Sequence, residues 1–165
     1  KAVGDGLVAA LQTHGSDAKV ATAGCWALNN IAEDKANLHL FELERSTAIV
    51  VGLLRRHVDD AAVVEAACNA LFALAQSRTV RMALPLVEGT GVALLAALQR
   101  HVTSGADTVY AITRTVCFIA THCSAHATLA PLASEVAAAL RRIVTAHPTH
   151  RGVQLHCDDA LTLLH

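Results

Sequence analysis

Ten histidines and five cysteines are the side chains of this 165-residue chain most able to do chemistry. Imidazole and thiolate are zinc ligands, and a thiol beside a histidine is a nucleophile in waiting. His122 and His126 stand four residues apart, one helical turn, and His147, His150, His156 and Cys157 lie close together in sequence. Structural zinc asks for ligand pairs at short fixed spacing, and the chain holds no CxxC pair; Cys123 and Cys157 instead fall in a periodic column of apolar residues. Serine, histidine and aspartate are all present, but none sits in a G-x-S-x-G, P-loop or G-x-G-x-x-G context. No enzyme activity, no cofactor and no metal is expected. Five cysteines without CxxC spacing read as thiols of a reducing compartment, cytosol or nucleus.

What remains is recognition chemistry. Trp26 and Asn30 are four residues apart, hence on one face of a helix, and they lie off the apolar column. The same face continues through Thr22 and Glu33, then Glu65, Asn69 and Gln76, then Arg114, Phe118 and His122. It is polar with two aromatic anchors, the make-up of a binding surface rather than a core. Glu33, Asp34 and Glu65 make its first half acidic, which favours a basic segment there.

The elements that position this face are written four times. Gly24-Cys25-Trp26-Ala27-Leu28 is echoed by Ala67-Cys68-Asn69-Ala70-Leu71, by Val116-Cys117-Phe118-Ile119-Ala120 and by Cys157-Asp158-Asp159-Ala160-Leu161. Anchors at Cys25, Cys68, Cys117 and Asp158 are 43, 49 and 41 residues apart, the period of an α-solenoid. Val20, Gly24, Ala27, Leu28 and Ile31 form one helical stripe. Its counterparts are Val63, Ala67, Ala70, Leu71 and Leu74; Ile112, Val116, Ile119, Ala120 and Cys123; and Val153, Cys157, Ala160, Leu161 and Leu164. No unit alone could bury such a stripe, so neighbours must stack. Equivalent cysteines on stacked helices, about 8–10 Å apart, are too distant for a disulfide.

Before each seam a shorter helix ends in Leu11-Gln12-Thr13-His14, Leu54-Arg55-Arg56-His57, Leu98-Gln99-Arg100-His101 or a looser Leu140-Arg141-Arg142-Ile143. Leucine and anchor are separated by 14, 14, 19 and 18 residues, so the last two units carry insertions of about five. The terminal histidines and arginines complement the helix dipole, or form a basic ridge for an acidic partner. Gly4, Gly6, Gly89 and Gly91 mark a sharp entry to this second helix. Short first helices are expected over 36–44, 78–87 and 126–133. A glycine at position 24 inside a helix costs about 1 kcal/mol against alanine unless a neighbour packs close.

Net charge −1 and pI about 6.9 exert no general pull toward nucleic acid or anionic membrane. Mean hydropathy is high at +0.42, yet aromatics make up only 3%, so the core must be thin and built from small residues. The longest apolar run, Val92 to Leu98, falls far short of the roughly 20 residues a membrane span needs. Starting at Lys1 without methionine, the chain is expected to be a piece of a longer protein.

Gly24-Cys25-Trp26-Ala27-Leu28-Asn29-Asn30-Ile31-Ala32 and Val63-Val64-Glu65-Ala66-Ala67-Cys68-Asn69-Ala70-Leu71 resemble the third helix of an armadillo repeat. Leu86-Val87-Glu88-Gly89-Thr90-Gly91-Val92 resembles the junction before that family's second helix. The likeness extends over about residues 2–124 and thins over 125–165. It implies an all-α, right-handed α-solenoid of about four armadillo-like repeats, with units near 1–33, 34–76, 77–124 and 125–165. It also implies a protein or peptide partner along a concave groove of third helices, where Trp26 and Asn30 match the tryptophan and asparagine of importin-alpha-like proteins. The corresponding pairs are Asn69 with Ala73, Phe118 with His122 and Asp159 with Leu163, so the importin pattern holds for one rung only. The alternative readings are an architectural segment that self-associates through apolar solenoid ends, and a helical protein binding a metal or small ligand.

Overall fold

A computed structural model of the chain describes residues 2–84, 87–122 and 129–164. Helices α1 (Ala2–His14) and α2 (Ala18–Glu33) lead to a 3₁₀ turn at Lys35–Leu40. They are followed by α3 (Leu43–Arg56), α4 (Ala61–Leu74), α5 (Arg78–Ala83), α6 (Thr90–Arg100) and α7 (Ala106–His122). A second 3₁₀ turn, Ala130–Leu132, precedes α8 (Ala133–Ala146) and α9 (Arg151–Leu163). Among the described residues there is no strand, and no helix is long and apolar enough to cross a membrane.

Two layers result. Helices α2, α4, α7 and α9 pack in succession, and α1, α3, α6 and α8 form the parallel row behind them. Side-chain caps start α2 and α4: the carboxylate of Asp17 accepts from Lys19 N and Val20 N, and that of Asp60 from Ala62 N and Val63 N. His150 caps α9 through Nδ1, which accepts from Val153 N at 3.1 Å. Gly89, with φ of +80°, makes the sharp entry to α6 that a side chain would resist. Gly4 and Gly6 do no such thing. Both lie inside α1, where Gly4 sits against the Leu40 carbonyl and the Phe41 ring and a Cβ would collide with both.

The middle seams bury the expected stripes: Val63, Ala67, Ala70, Leu71 and Leu74 on α4, and Ile112, Val116, Ile119 and Ala120 on α7, are all buried. Cys123, assigned to the same stripe, lies outside the described residues. On α2 the buried set is Ala21, Gly24, Cys25, Leu28, Asn29 and Ala32, while Val20 is exposed and Ala27 and Ile31 are half-buried. That helix packs against α4, α1 and the 3₁₀ turn that follows it, and no front helix precedes it. Leu161 and Leu164 are half-buried on α9 for the corresponding reason. The Leu11 side chain lies directly over Gly24, so a Cβ there would overlap it, and the glycine is explained by close packing.

The first helices are shorter than the sequence suggests. The first is the 3₁₀ turn, capped by the Asp34 carboxylate on Ala36 N, and α5 ends at Ala83. Residues 126–128 of the third and Pro85 lie outside the described residues; Pro131 sits in the first turn of the second 3₁₀ segment.

A repeated histidine contact locks the rear row in register. His57 Nε2 donates to the Gly15 carbonyl at 2.7 Å, His101 Nε2 to Val58 O at 2.7 Å, and His147 Nε2 to Val102 O at 2.9 Å. Each acceptor is the residue after the preceding unit's own histidine. Each histidine carbonyl in turn accepts from the amide three residues on, closing the turn into the next helix. These imidazoles are inter-repeat clamps, neither a ridge for a partner nor merely complements to the helix dipole. The fourth member is His147; the Leu140-Arg141-Arg142-Ile143 phrase lies one turn too early.

Candidate functional site

The front face offered by α2, α4, α7 and α9 carries the residues expected to bind a partner, but their register needs correction. The first intrahelical carbonyls of these helices belong to Asp17, Asp60, Gly105 and His150, which are 43, 45 and 45 residues apart. Counted from those starts, the counterpart of Cys25 and Cys68 on α7 is Thr113, one helical turn before Cys117. The supposed five-residue insertions vanish, since one arose at Cys117 and the other at Leu140. Trp26 therefore aligns with Asn69, Arg114 and Asp159, and Asn30 with Ala73, Phe118 and Leu163. Phe118 and His122 are not the counterparts of Trp26 and Asn30. A shift of four keeps a residue on the same helical face, which is why the core stripe survived the error.

At one end of the face, Trp26 is half-buried and packed against the core, beside an exposed Asn30. Asn30 Oδ1 accepts from Asn29 Nδ2 at 3.2 Å, and Asn29, buried, also reaches Glu33. Thr22 is turned back on its own helix, donating to Ala18 O. Glu33 is exposed.

The centre is a cation set against aromatic rings. Arg114 Cζ lies 4.0 Å from the Phe72 ring centroid and 5.5 Å from that of Tyr110. Its Nη2 donates to Asn69 Oδ1, while its buried Nε has no acceptor. Asn69 Nδ2 donates to Glu65 O, so this amide is engaged at both ends. The Glu65 carboxylate accepts from Thr108 Oγ1 at 3.0 Å. Phe72 meets Phe118 edge-on at 5.1 Å, and Phe118 stacks on the exposed His122 at 4.4 Å. Tyr110 stands 5.8 Å from His150 and 5.3 Å from His156. Burial, with Arg114 nearby, holds His156 below the usual imidazole range against the opposing charge of Asp159.

Phe72, Tyr110 and His156 were not foreseen on this face. For Tyr110 the signal existed: counted from the helix start it occupies the position of Thr22 and Glu65. Phe72 carried no such signal, because its counterparts are Asn29 and Cys117.

The thiols stand behind the face. Cys25, Cys68, Cys117 and Cys157 are free and buried. Burial raises all four, and pushes Cys25, Cys68 and Cys157 up to about 12, so they are poor nucleophiles. Among the described residues, no three His, Cys, Asp or Glu side chains come together as a metal site; His126 of the candidate pair lies outside them.

On the opposite side, Glu44, Arg45, Ala48, Val51, Gly52, Arg55, Ala83, Val87 and Glu88 line an open cavity of about 560 Å³. Arg56 is exposed, and Arg100 makes a surface ion pair with Asp59 of the kind worth little.

A family model described as LRRK2 ARM repeat matches residues 4–164. No curated protein and no solved structure matches the chain.

Proposed function

The chain belongs to the armadillo-repeat family through the LRRK2 ARM repeat, and on that premise we propose that it is a non-enzymatic binding module. It holds an extended segment of a partner protein along the face of α2, α4, α7 and α9. The observation that carries this reading is the pair of anchors on that face: the half-buried indole of Trp26 on α2 and the Phe72–Arg114–Tyr110 cluster across α4 and α7. Half-buried aromatics and an arginine in a partly desolvated setting are the side chains in which binding energy concentrates. A segment crossing three helices at about 10 Å each would span about six extended residues.

The test is selection of binders from a random-peptide library, followed by affinity measurements on variants. Trp26→Ala weakens the selected peptides by about 2 kcal/mol or more, and Asn30→Ala by about 1–3 kcal/mol, with helix content unchanged. Arg56→Ala and Arg100→Ala have little effect. Loss of binding in the arginine variants with Trp26→Ala silent would move the site to the opposite face.

A second reading, end-to-end association, draws on the histidine contacts. His14 is exposed with no carbonyl to clamp among the described residues, and Pro148, which follows His147, is exposed likewise. Stacking one copy on another would join these halves and cover Leu155 and Leu163, exposed at 56% and 48%. Sedimentation that stays monomeric up to millimolar concentration would exclude it.

A further inference from the structure

Among the described residues, Arg114 is a cation without a carboxylate. Among the described residues the ion pairs are Arg45 with Glu42 and Arg100 with Asp59, both on the exposed surface. Arg114 is different in every respect: half-buried, on the binding face, and bonded to a neutral amide. Guanidinium carries five N–H donors in a rigid plane suited to a carboxylate, and Nε here is shielded from water with no acceptor. Phe72 and Tyr110 lie against the guanidinium and Asn69 holds Nη2, so its direction is set before any ligand arrives. The nearest acidic side chain on α4, Glu65, is engaged by Thr108. Asp159 on α9 is exposed and not paired with the guanidinium.

Resting on the binding face proposed above, we infer that Arg114 receives an aspartate or glutamate side chain of the bound segment. The partner is acidic at this point of the groove, whatever the charge of its other end beside Glu33 and Asp34. A carboxylate seated there exchanges the shell of water around both charges for charge-assisted bonds in a site of fixed geometry. It also adds a negative charge near His156, which lies against Tyr110 of α7 and is acted on by the charges of Arg114 on α7 and Asp159 on its own helix; His150 meets the same Tyr110 ring. Binding of an acidic segment thus raises the titration midpoint of His156 from its depressed free value.

The peptides selected against the full chain supply the probes. Sequences should carry Asp or Glu at one fixed position. Replacing that residue by Gln or Asn should weaken binding to the wild-type chain at least tenfold, and should make no difference to Arg114→Gln. Arg114→Lys, which keeps the charge and loses the planar fork, should fall between. Circular dichroism of each variant checks the fold, and the peptide-side substitution tests the same pair in unaltered protein. By NMR the His156 midpoint should rise with the acidic peptide and stay in place with its amide counterpart. Absence of an acidic preference, or its survival in Arg114→Gln, overturns the inference. So does a phosphoserine peptide binding more tightly than its glutamate counterpart, which would make the site one for phosphate. If Asp159→Asn abolishes the acidic preference as Arg114→Gln does, the carboxylate acts through another group and the assignment falls. Peptides lost with Trp26→Ala yet indifferent to charge would leave the binding face standing without this anchor. Selection of no peptide at all would remove both.

Discussion

Removing the His101 imidazole is the sharpest test of how this solenoid holds its register. The residue is 4% exposed and caps α6. Its Nε2 bonds the Val58 carbonyl of the preceding unit and its Nδ1 pairs with Ser104 Oγ at 2.9 Å. His101→Ala deletes both contacts, each worth about 0.5–1.5 kcal/mol net, and strands a carbonyl whose desolvation costs about 1–3 kcal/mol. The combined loss should be about 2–6 kcal/mol. His14→Ala is the control, since the same residue type in the same turn is exposed there and clamps nothing; it should stay within about 0.5 kcal/mol. Urea unfolding followed by far-UV circular dichroism measures both. Because stability in such arrays is a sum of unit terms and nearest-neighbour interfaces, His101→Ala should also broaden the transition and lower the slope m, as units on either side begin to unfold separately. Equal losses in the two variants, or a loss below about 1 kcal/mol at His101 with m unchanged, would show that the clamps follow register rather than enforce it.

Leu71→Ala, at a side chain 1% exposed between α4 and its neighbours, should cost about 2–5 kcal/mol in the same urea assay. Gly24→Val should cost about 1–3 kcal/mol by driving a side chain into Leu11, and adding Leu11→Ala should recover part of it; full tolerance of Gly24→Val would refute the close approach. The Cys68 thiol, pushed by burial from 9.0 to about 12, is protonated in both states below pH 9. Between those values the unfolded chain ionises first, so stability present below pH 9 is lost as pH rises, and Cys68→Ala should show a flatter alkaline slope than wild type.

The fold was legible because its determinants are redundant. A stripe of Val63, Ala67, Leu71 and Leu74 admits one helical face, and Gly89 marks the entry to α6. Register was the weak point. Cys117 resembles Cys25 and Cys68 more than Thr113 does, but residue likeness in a core records only that a small apolar side chain fits. The position of a helix start is fixed by which carbonyl makes the first bond, and at α7 that carbonyl belongs to Gly105, a residue with no capping side chain to announce it. At α9 the cap is His150, an uncommon choice for which sequence gives little warning.

The candidate face suffered most from this slip, for a physical reason. Core positions one turn apart are interchangeable, since each is apolar and points inward, whereas groove positions one turn apart meet different parts of a ligand. With helix starts aligned, the row that begins at Trp26 runs on through Asn69 and Arg114 to Asp159: an aromatic ring, an amide, a cation and an anion. An array that bound one repeated feature would present one repeated side chain, as the rear row does with His57, His101 and His147. The front row changes its chemistry at every step. On the binding mode proposed above, a segment lying across it would be read once by each helix, and the order of those readings, hydrophobic, polar, acidic, basic, would set one partner apart from another.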